Sequence, residues 1–385
     1  LATLELPSSE MEQAVAWRRM LHAKPELAYE EHATADFVAE RLAEWGFEVR
    51  TGIGRTGVVG TLSRGTSRRA IAIRADMDAL PIVEETGASY ASTVPGVMHA
   101  CGHDGHVAVA LAAARTSSRM TGLDGTVHFV FQPAEEVEGG ALEMVRGGLF
   151  RDCPADRVFG LHNWPALETG CVVAREGAMM AAFATFEIAV SGRGSHGAMP
   201  HEGADPVAAA AQVVSALQTI ASRNVSPLEA AVVSVTQIHG GDAYNVIPET
   251  VALRGTTRWF DPAVGDLVEQ RVSDVAGGVA GAMGCTARVD YRRRYPATIN
   301  DPAAAAFARD AAGSTGLRVV DAAPSMAAED FAFMLAERPG CYLWLGSRQD
   351  GENPGLHSPR FDFNDAIIPD GVRLWTALVA ASLRA

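Results

Sequence analysis

The sequence predicts an α/β protein, a layered domain of strands and helices with a smaller β-α-β-β-α-β domain inserted into it. Three observations carry this. Apolar runs of about 4 to 8 residues, the length of buried strands, alternate with alanine-rich helical segments early in the chain. A middle region shows half-exposed alternation instead, and its elements follow the ferredoxin-like order. The chain then returns to helix, apolar strand and helix. The expected boundaries are 1–183 and 295–385 for the two parts of the larger domain and 184–294 for the insertion.

The elements follow in order. The opening "LATLELPSSEMEQ" has no basic region leading into an apolar core, so it does not read as a signal peptide. "TADFVAERLAEWGF" reads as an amphipathic helix, with Thr34 as a candidate cap and Gly46 as a left-handed stop. "VVGTL", "AIAIRADMD", "TVHFVFQPAEE" and "RVFGLHNWP" read as buried strands, and "VAVALAAARTSS" as a helix among them. In the insertion, "ATFEIAVSG" is a strand, and "DPVAAAAQVVSALQTIAS" a helix capped by Asp205 with Pro206 in its first turn. "AAVVSVTQIHGG" and "ETVALRGTTRWF" are strands, "PAVGDLVEQRVSDVAGGVAGAMG" a helix and "CTARVDYRRRY" the last strand. A helix near 301–315, the strand "CYLWLGS" and a helix from about 369 complete the larger domain.

A chain of 385 residues exceeds what one compact core usually holds, so about two domains are expected. Apolar residues at 48% and charged residues at 20% give the balance of a soluble globular enzyme. A net charge of -14 argues against a phosphate-backbone binder and against docking on an anionic membrane. No run of apolar residues reaches the roughly 18 needed for a membrane span. Five scattered cysteines make no disulfide framework, and a reducing cytoplasm is the expected compartment.

The polar residues cluster at strand ends. Asp76 and Asp78 follow "AIAIRA", Glu135 and Glu136 follow "VHFVFQPA", His162 follows "RVFGL", and His357 follows "CYLWLGS" after a loop. Ligands and catalytic groups gather at the carboxyl ends of strands in open α/β sheets. Taken singly, each residue also fits a turn, a helix cap or a solvated loop. Together they read as one site, and carboxylates so crowded need cations nearby or they protonate. The stretch "MHACGHDGH", residues 98–106, then has two readings. Cys101 is a nucleophile with His103 or His106 as its base, or Cys101 and His103 are metal ligands. The metal reading employs the other acids and histidines, and the thiol reading leaves them idle.

These motifs carry a resemblance. "RADMDALP", "MHACGHDGH", "FQPAEE", "LHNWP", "SGRGSHGAMPHEGADP", "NVIP", "GTTRWF", "AAEDFAF" and "LHSPRFDF" occur in an order similar to that of the M20 metallopeptidases, over about residues 15–380. The branch it resembles holds amidohydrolases of N-acyl amino acids: hippurate hydrolases, aminoacylases and auxin-conjugate hydrolases. The resemblance implies a zinc-peptidase-like α/β/α catalytic domain with an inserted lid or dimerisation domain. It implies two divalent ions per subunit (Zn, Mn, Co or Ni) held by Cys101, His103, Glu136, His162 and His357. Glu135 matches the general base, and Asp78 the acid behind the site. Asp76 stands where other branches place a metal-binding histidine. Asp104 and His106 are expected to support the ligands or the turn. Glu329 and Asp330 are either supports of the site or an acidic pair starting a helix.

The reaction so implied is hydrolysis of an N-acyl amino acid, with Glu135 moving the proton. His196 matches an oxyanion donor on the lid, with His201 nearby, and Asn245 and Arg258 match lid positions that touch substrate. A homodimer through the lid is expected, with neither nucleic acid nor membrane as partner. The alternatives are a peptidase acting on unblocked peptides, a cysteine hydrolase, and a non-catalytic metal-stabilised binding protein.

Overall fold

The computed structural model describes residues 7–136 and 139–384. Residues 1–6, which bear on the signal-peptide reading, lie outside the described residues. The chain divides into two compact units. The smaller comprises Met180–Ala297 and Pro324–Ala328, and the larger holds the rest. The expected insertion of 184–294 falls within the first of these spans. The short second span, which pairs with Met180 and Ala181 through Ser325 and Ala327, was not foreseen.

The larger unit opens with helix α1 (Ser8–His22), which the sequence reading had not picked out, and α2 (His32–Glu44). Thr34 is not the cap of α2; it lies inside the helix. The carboxylate of Glu26 reaches over instead and accepts from the Ala33 and Thr34 amides at 2.9 and 2.8 Å. Gly46 beyond the helix is left-handed, as expected. Strands β1 (Glu48–Ile53), β2 (Gly57–Arg64), β3 (Ala70–Asp76), β4 (Gly125–Gln132), β5 (Arg157–Trp164) and β6 (Cys171–Val173) follow, with α3 (His103–Ser118) between β3 and β4. They enter an eight-stranded sheet in the order β1, β2, β4, β3, β5, Gly340–Gly346, β6, Arg318–Val319.

The four central strands, β4, β3, β5 and Gly340–Gly346, run parallel to one another. Their carboxyl ends therefore emerge along a single edge. Every residue of β3 and of Gly340–Gly346 is buried, which explains their near-continuous apolar sequence: helices cover both faces. Helix α3 is buried on almost all sides, and its alanines let neighbours come close. The C-terminal helix Ile368–Leu383 packs on it. Residues Asp365–Leu383 have the length and hydropathy of a membrane span, with Asp370 and Arg373 interrupting the run, but 61% of that stretch is buried. Trp375 and Trp344 are buried in this unit, and burying a large apolar side chain contributes roughly 1.5–3 kcal/mol.

The smaller unit is a four-stranded antiparallel sheet in the order Ala231–His239, Thr250–Trp259, Ala182–Ser191, Thr286–Tyr295. Helices Pro206–Thr219 and Pro262–Ala282 cover it through Val213, Leu217, Val268 and Val272, packed on Ile188, Val190 and Leu253. Numbered along the unit, the strands lie 2-3-1-4, the ferredoxin-like arrangement. Asp205 caps the first helix, accepting from the Val207 and Ala208 amides at 2.8 and 3.2 Å.

Candidate metal centre

Cys101 and His103 flank the residue that opens α3. Gly102 between them has φ +92°, and a Cβ there would lie 2.5 Å from Asn163 Nδ2, so only glycine fits. His103 Nδ1 faces two oxygens of Asp78, the carbonyl at 2.9 Å and Oδ1 at 3.3 Å. Both oxygens accept, so Nδ1 carries the hydrogen and Nε2 is left to present its other face. That Nε2 is buried and has no hydrogen-bond partner among the described residues. His162 repeats the device: its Nδ1 donates to the Asn163 carbonyl at 2.6 Å, and its Nε2 lies 3.3 Å from Cys101 Sγ.

The other two ligand candidates come from loops. The Glu136 amide donates to Asp78 Oδ2 at 3.0 Å, so Asp78 holds both His103 and the Glu136 backbone. Glu136 Oε1 is buried with no hydrogen-bond partner among the described residues, like His103 Nε2, and lies 3.9 Å from it. His357 sits at φ +64° with its amide donating to the Ala100 carbonyl at 2.8 Å. Its Nε2 lies 3.4 Å from Glu136 Oε2. Left-handed backbone at a non-glycine residue costs energy and persists where the surroundings hold it. Cys101, His103 and His162 bring ligand atoms within 4.8 Å of one another, as do Cys101, Glu136 and His357. The donor set of one thiolate sulfur, three imidazole nitrogens and a carboxylate suits a borderline divalent ion such as Zn. The two orphaned buried atoms fit the same conclusion, because such groups are costly without a partner.

Asp76 and His106 are otherwise engaged. Asp76 Oδ1 accepts from His106 Nδ1 at 2.6 Å, and Oδ2 accepts from Arg74 Nη1 at 2.6 Å. His106 Nε2 takes the Asn163 amide at 3.0 Å. Both ring nitrogens are thus committed, and the pair braces the ligand turn. Asp104 is bound by Arg18 Nε at 2.9 Å and His22 Nδ1 at 2.8 Å, tying α1 to α3. Glu329 and Asp330 are no exposed helix start. Both are buried on Arg74 Nη2, at 2.8 and 3.1 Å, and Asp330 also accepts from Gln132 Nε2 and the Ala141 amide. The Asp330 amide donates to Glu135 Oε1 at 3.3 Å.

Electrostatics separate the roles. Burial, with Glu329, Glu136 and Asp330 adding repulsion, pushes the Glu135 carboxyl well above the ordinary range. Burial likewise pushes the Cys101 thiol up, helped by Glu136 and Glu135. Burial holds His162 well down, with His106 contributing. For His103 burial acts downward, but Asp76 and Asp78 outweigh it and raise the ring to about 10. A buried, protonated thiol is a poor nucleophile, and its hydrogen-bond neighbour is His162, not the His103 or His106 that the thiol reading required.

The sequence profile of peptidase family M20/M25/M40 matches residues 72–381. The chain belongs to this family. It is 42% identical over 369 residues to an N-acetyl-L-cysteine deacetylase of Bacillus subtilis, covering 96% of this chain and 86% of that one. It is 38% identical over 371 residues to a hippurate hydrolase of Campylobacter jejuni, covering 95% and 96%. A crystal structure of a Bacillus subtilis protein described as a dinuclear metal-binding peptidase of the M20 family superposes with a TM-score of 0.86. Its identity is 33%, with 98% of this chain and 99% of that one covered.

The remaining candidates of this M20 chain lie on the smaller unit. His196 is exposed on the short strand Ser195–His196, paired with Val246–Ile247, and its Nδ1 accepts the Ala198 amide at 3.0 Å. The Asn245 carbonyl accepts the Gly197 amide at 2.8 Å, so the loops bearing His196 and Asn245 are tied together. Arg258 stacks over Phe183 at 4.6 Å and donates to Thr256 and to the Thr257 carbonyl, with no carboxylate partner among the described residues. His201 is exposed in the single turn Pro200–Glu202. Sequence reasoning missed Arg18, His22, Asn163 and Arg74. Arg74 had a signal, a charge inside the apolar run "AIAIRAD", which a buried strand tolerates only with partners.

Proposed function

We propose that this chain is a di-metal-dependent hydrolase that cleaves the amide bond of N-acyl amino acids to a carboxylic acid and a free amino acid. One observation carries the reading: Glu135, with a carboxyl shifted far upward, stands beside a cluster of sulfur, imidazole and carboxylate donors, of which two buried atoms, His103 Nε2 and Glu136 Oε1, have no hydrogen-bond partner among the described residues. The two relatives above are named for N-acetylcysteine and hippurate, and both compounds are N-acyl amino acids.

Cys101, His103, Glu136, His162 and His357 would hold the ions, and Asp78 orients His103 and Glu136. When bound, two divalent ions would supply Lewis acidity and a water acidified toward neutral pH. Glu135 takes a proton from the attacking water and delivers it to the amine nitrogen as the C–N bond breaks. A carboxyl with a raised affinity for protons serves both transfers. His196 donates to the oxyanion of the tetrahedral intermediate. Arg258 binds the amino-acid carboxylate and Asn245 adds an amide donor; that Arg258 has no carboxylate partner among the described residues is in keeping with this.

The ions are Zn, Mn, Co or Ni, in keeping with the sulfur and imidazole donors. The working form is a homodimer joined through the smaller unit, whose edge strand Ala231–His239 carries an exposed Ile238. Five unpaired, buried cysteines support a cytoplasmic setting, and the net charge of -14 supports the absence of nucleic-acid and membrane partners. The test is amino-acid release from N-acetyl, N-benzoyl and long-chain N-acyl amino acids beside unblocked dipeptides, with and without chelator. Chelator-sensitive cleavage of the acylated compounds alone is expected. Cleavage of unblocked dipeptides alone would overturn the reading.

A further inference from the structure

Glu31 is a buried carboxylate that neither the metal centre nor the proton transfer uses. No side chain of Lys, Arg or His pairs with it among the described residues, yet its relative exposure is 0%. A charge so placed is costly unless hydrogen bonds demand it. Although Glu31 is the N-cap residue of α2, its side chain makes no capping bond, and Glu26 takes the Ala33 and Thr34 amides instead. Its two oxygens are spent elsewhere. Oε2 accepts from Thr56 Oγ1 at 2.6 Å, and Oε1 accepts from the Ala134 amide at 2.9 Å.

Ala134 is the residue before Glu135, and it is left-handed at φ +53°. Its carbonyl is held from the other side by the Gly140 amide at 3.0 Å. The turn is tight there: a Cβ at Gly140 would come within 1.7 Å of the Pro133 carbonyl oxygen. An alanine relaxed to the ordinary region would redirect the next two side chains, and those are Glu135 and Glu136.

We propose that Glu31 is a positioning residue that clamps the strained Ala134 amide and so aims Glu135 and Glu136. It touches neither substrate nor ion and acts only through the turn, with Thr56 anchoring its second oxygen. The inference rests on the hydrolase reading for the roles of Glu135 and Glu136.

The experiment compares Glu31→Ala with Glu31→Gln, whose side-chain carbonyl can still accept from Ala134. Both are assayed as folded, metal-replete protein on the best N-acyl substrate. For Glu31→Ala, kcat is expected to fall roughly 100-fold with KM within about twofold, because a misplaced reacting group costs about that much. Glu31→Gln is expected to stay within about threefold. The double variant Glu31→Ala/Ala134→Gly should regain part of kcat, since glycine adopts φ near +53° without a clamp. A merely structural role would lower thermal stability without this KM-against-kcat split or this rescue. Unchanged kcat in folded Glu31→Ala overturns the proposal. If Glu31→Ala does not fold, Glu31→Asp withdraws the carboxylate by one methylene, and a roughly tenfold loss in kcat is expected. Unchanged kcat there overturns it equally. If no substrate is cleaved by the parent protein, the hydrolase reading has failed, and Co2+ titration followed by absorbance tests the turn alone. Roughly tenfold weaker Co2+ binding by Glu31→Ala supports the clamp, and equal binding overturns it.

Discussion

Loading the metal centre should be a proton-releasing reaction, and the structure sets how steeply it depends on pH. In the ion-free protein His103 is raised to about 10 by Asp76 and Asp78, against the effect of burial. The Cys101 thiol is pushed above its ordinary range by burial and by Glu136 and Glu135. Both therefore hold protons at neutral pH, and both must lose them to bind an ion. His162 is held neutral by burial and has none to lose. Each displaced proton makes the apparent affinity rise tenfold per pH unit, so two give a rise of about 100-fold per unit between about pH 7 and 8.5. Calorimetric titration of chelator-stripped protein with Zn2+, in two buffers of different ionisation enthalpy, reads the protons released. Repeating it across pH reads the slope. Cys101→Ser removes one of the two protons, and its slope should drop to about tenfold per unit. An affinity that does not change with pH, or no proton release, would falsify the assignment of Cys101 and His103 as ligands.

Further expectations follow from the same geometry. Glu135→Gln should keep its metal content, read by elemental analysis, while turnover drops about 10²–10⁴-fold, the worth of a positioned acid-base group. Asp78→Asn removes the charge that holds both His103 and the Glu136 amide; metal affinity should weaken about 10- to 100-fold, and unchanged affinity would count against its supporting role. The folded pKa of His103 lies above its unfolded 6.5, so its contribution to ion-free stability is complete below 6.5 and is lost as pH rises through about 10. The melting temperature of chelated protein should accordingly fall from pH 7 to 10, and a rise would contradict the sign. Asp205→Ala strips a cap from two amides of the helix Pro206–Thr219 and should cost about 1 kcal/mol in urea denaturation.

Much of the candidate site was legible in the sequence. Four apolar runs each delivered an acid or a histidine to the end of a strand, and parallel pairing puts such ends on one edge. The order of elements in the middle region marked the insertion for a similar reason: period-2 and period-3.6 patterns are local properties. The misreadings also have physical causes. Thr34 looked like a cap because threonine before an apolar run commonly is one, but the helix already begins at His32, and Glu26 takes the Ala33 and Thr34 amides from outside it. Glu329 and Asp330 could be read as supports of the site or as a helix start, and only the contact with Arg74, from a strand 255 residues away in sequence, decides for the first.

Residue type, spacing and apolar period already mark an α/β chain with acids and histidines at its strand ends, and the order of its motifs resembles the M20 family, which implies Cys101, His103, Glu135, Glu136, His162 and His357 as a candidate set. Those features are written in neighbouring residues and need no folding to read. Which atoms of that set are free to meet an ion is a different matter. Asp78 selects the His103 nitrogen, Asn163 selects that of His162 and closes off His106, and Arg74 occupies Asp76. Asp78 meets His103, and Asn163 meets His106, across elements 25 and 57 residues apart, while the His162–Asn163 and Arg74–Asp76 contacts lie within single strands; all are made inside a core where an unpaired polar group is costly. Only the packed structure, by bringing those donors and acceptors together away from water, decides them.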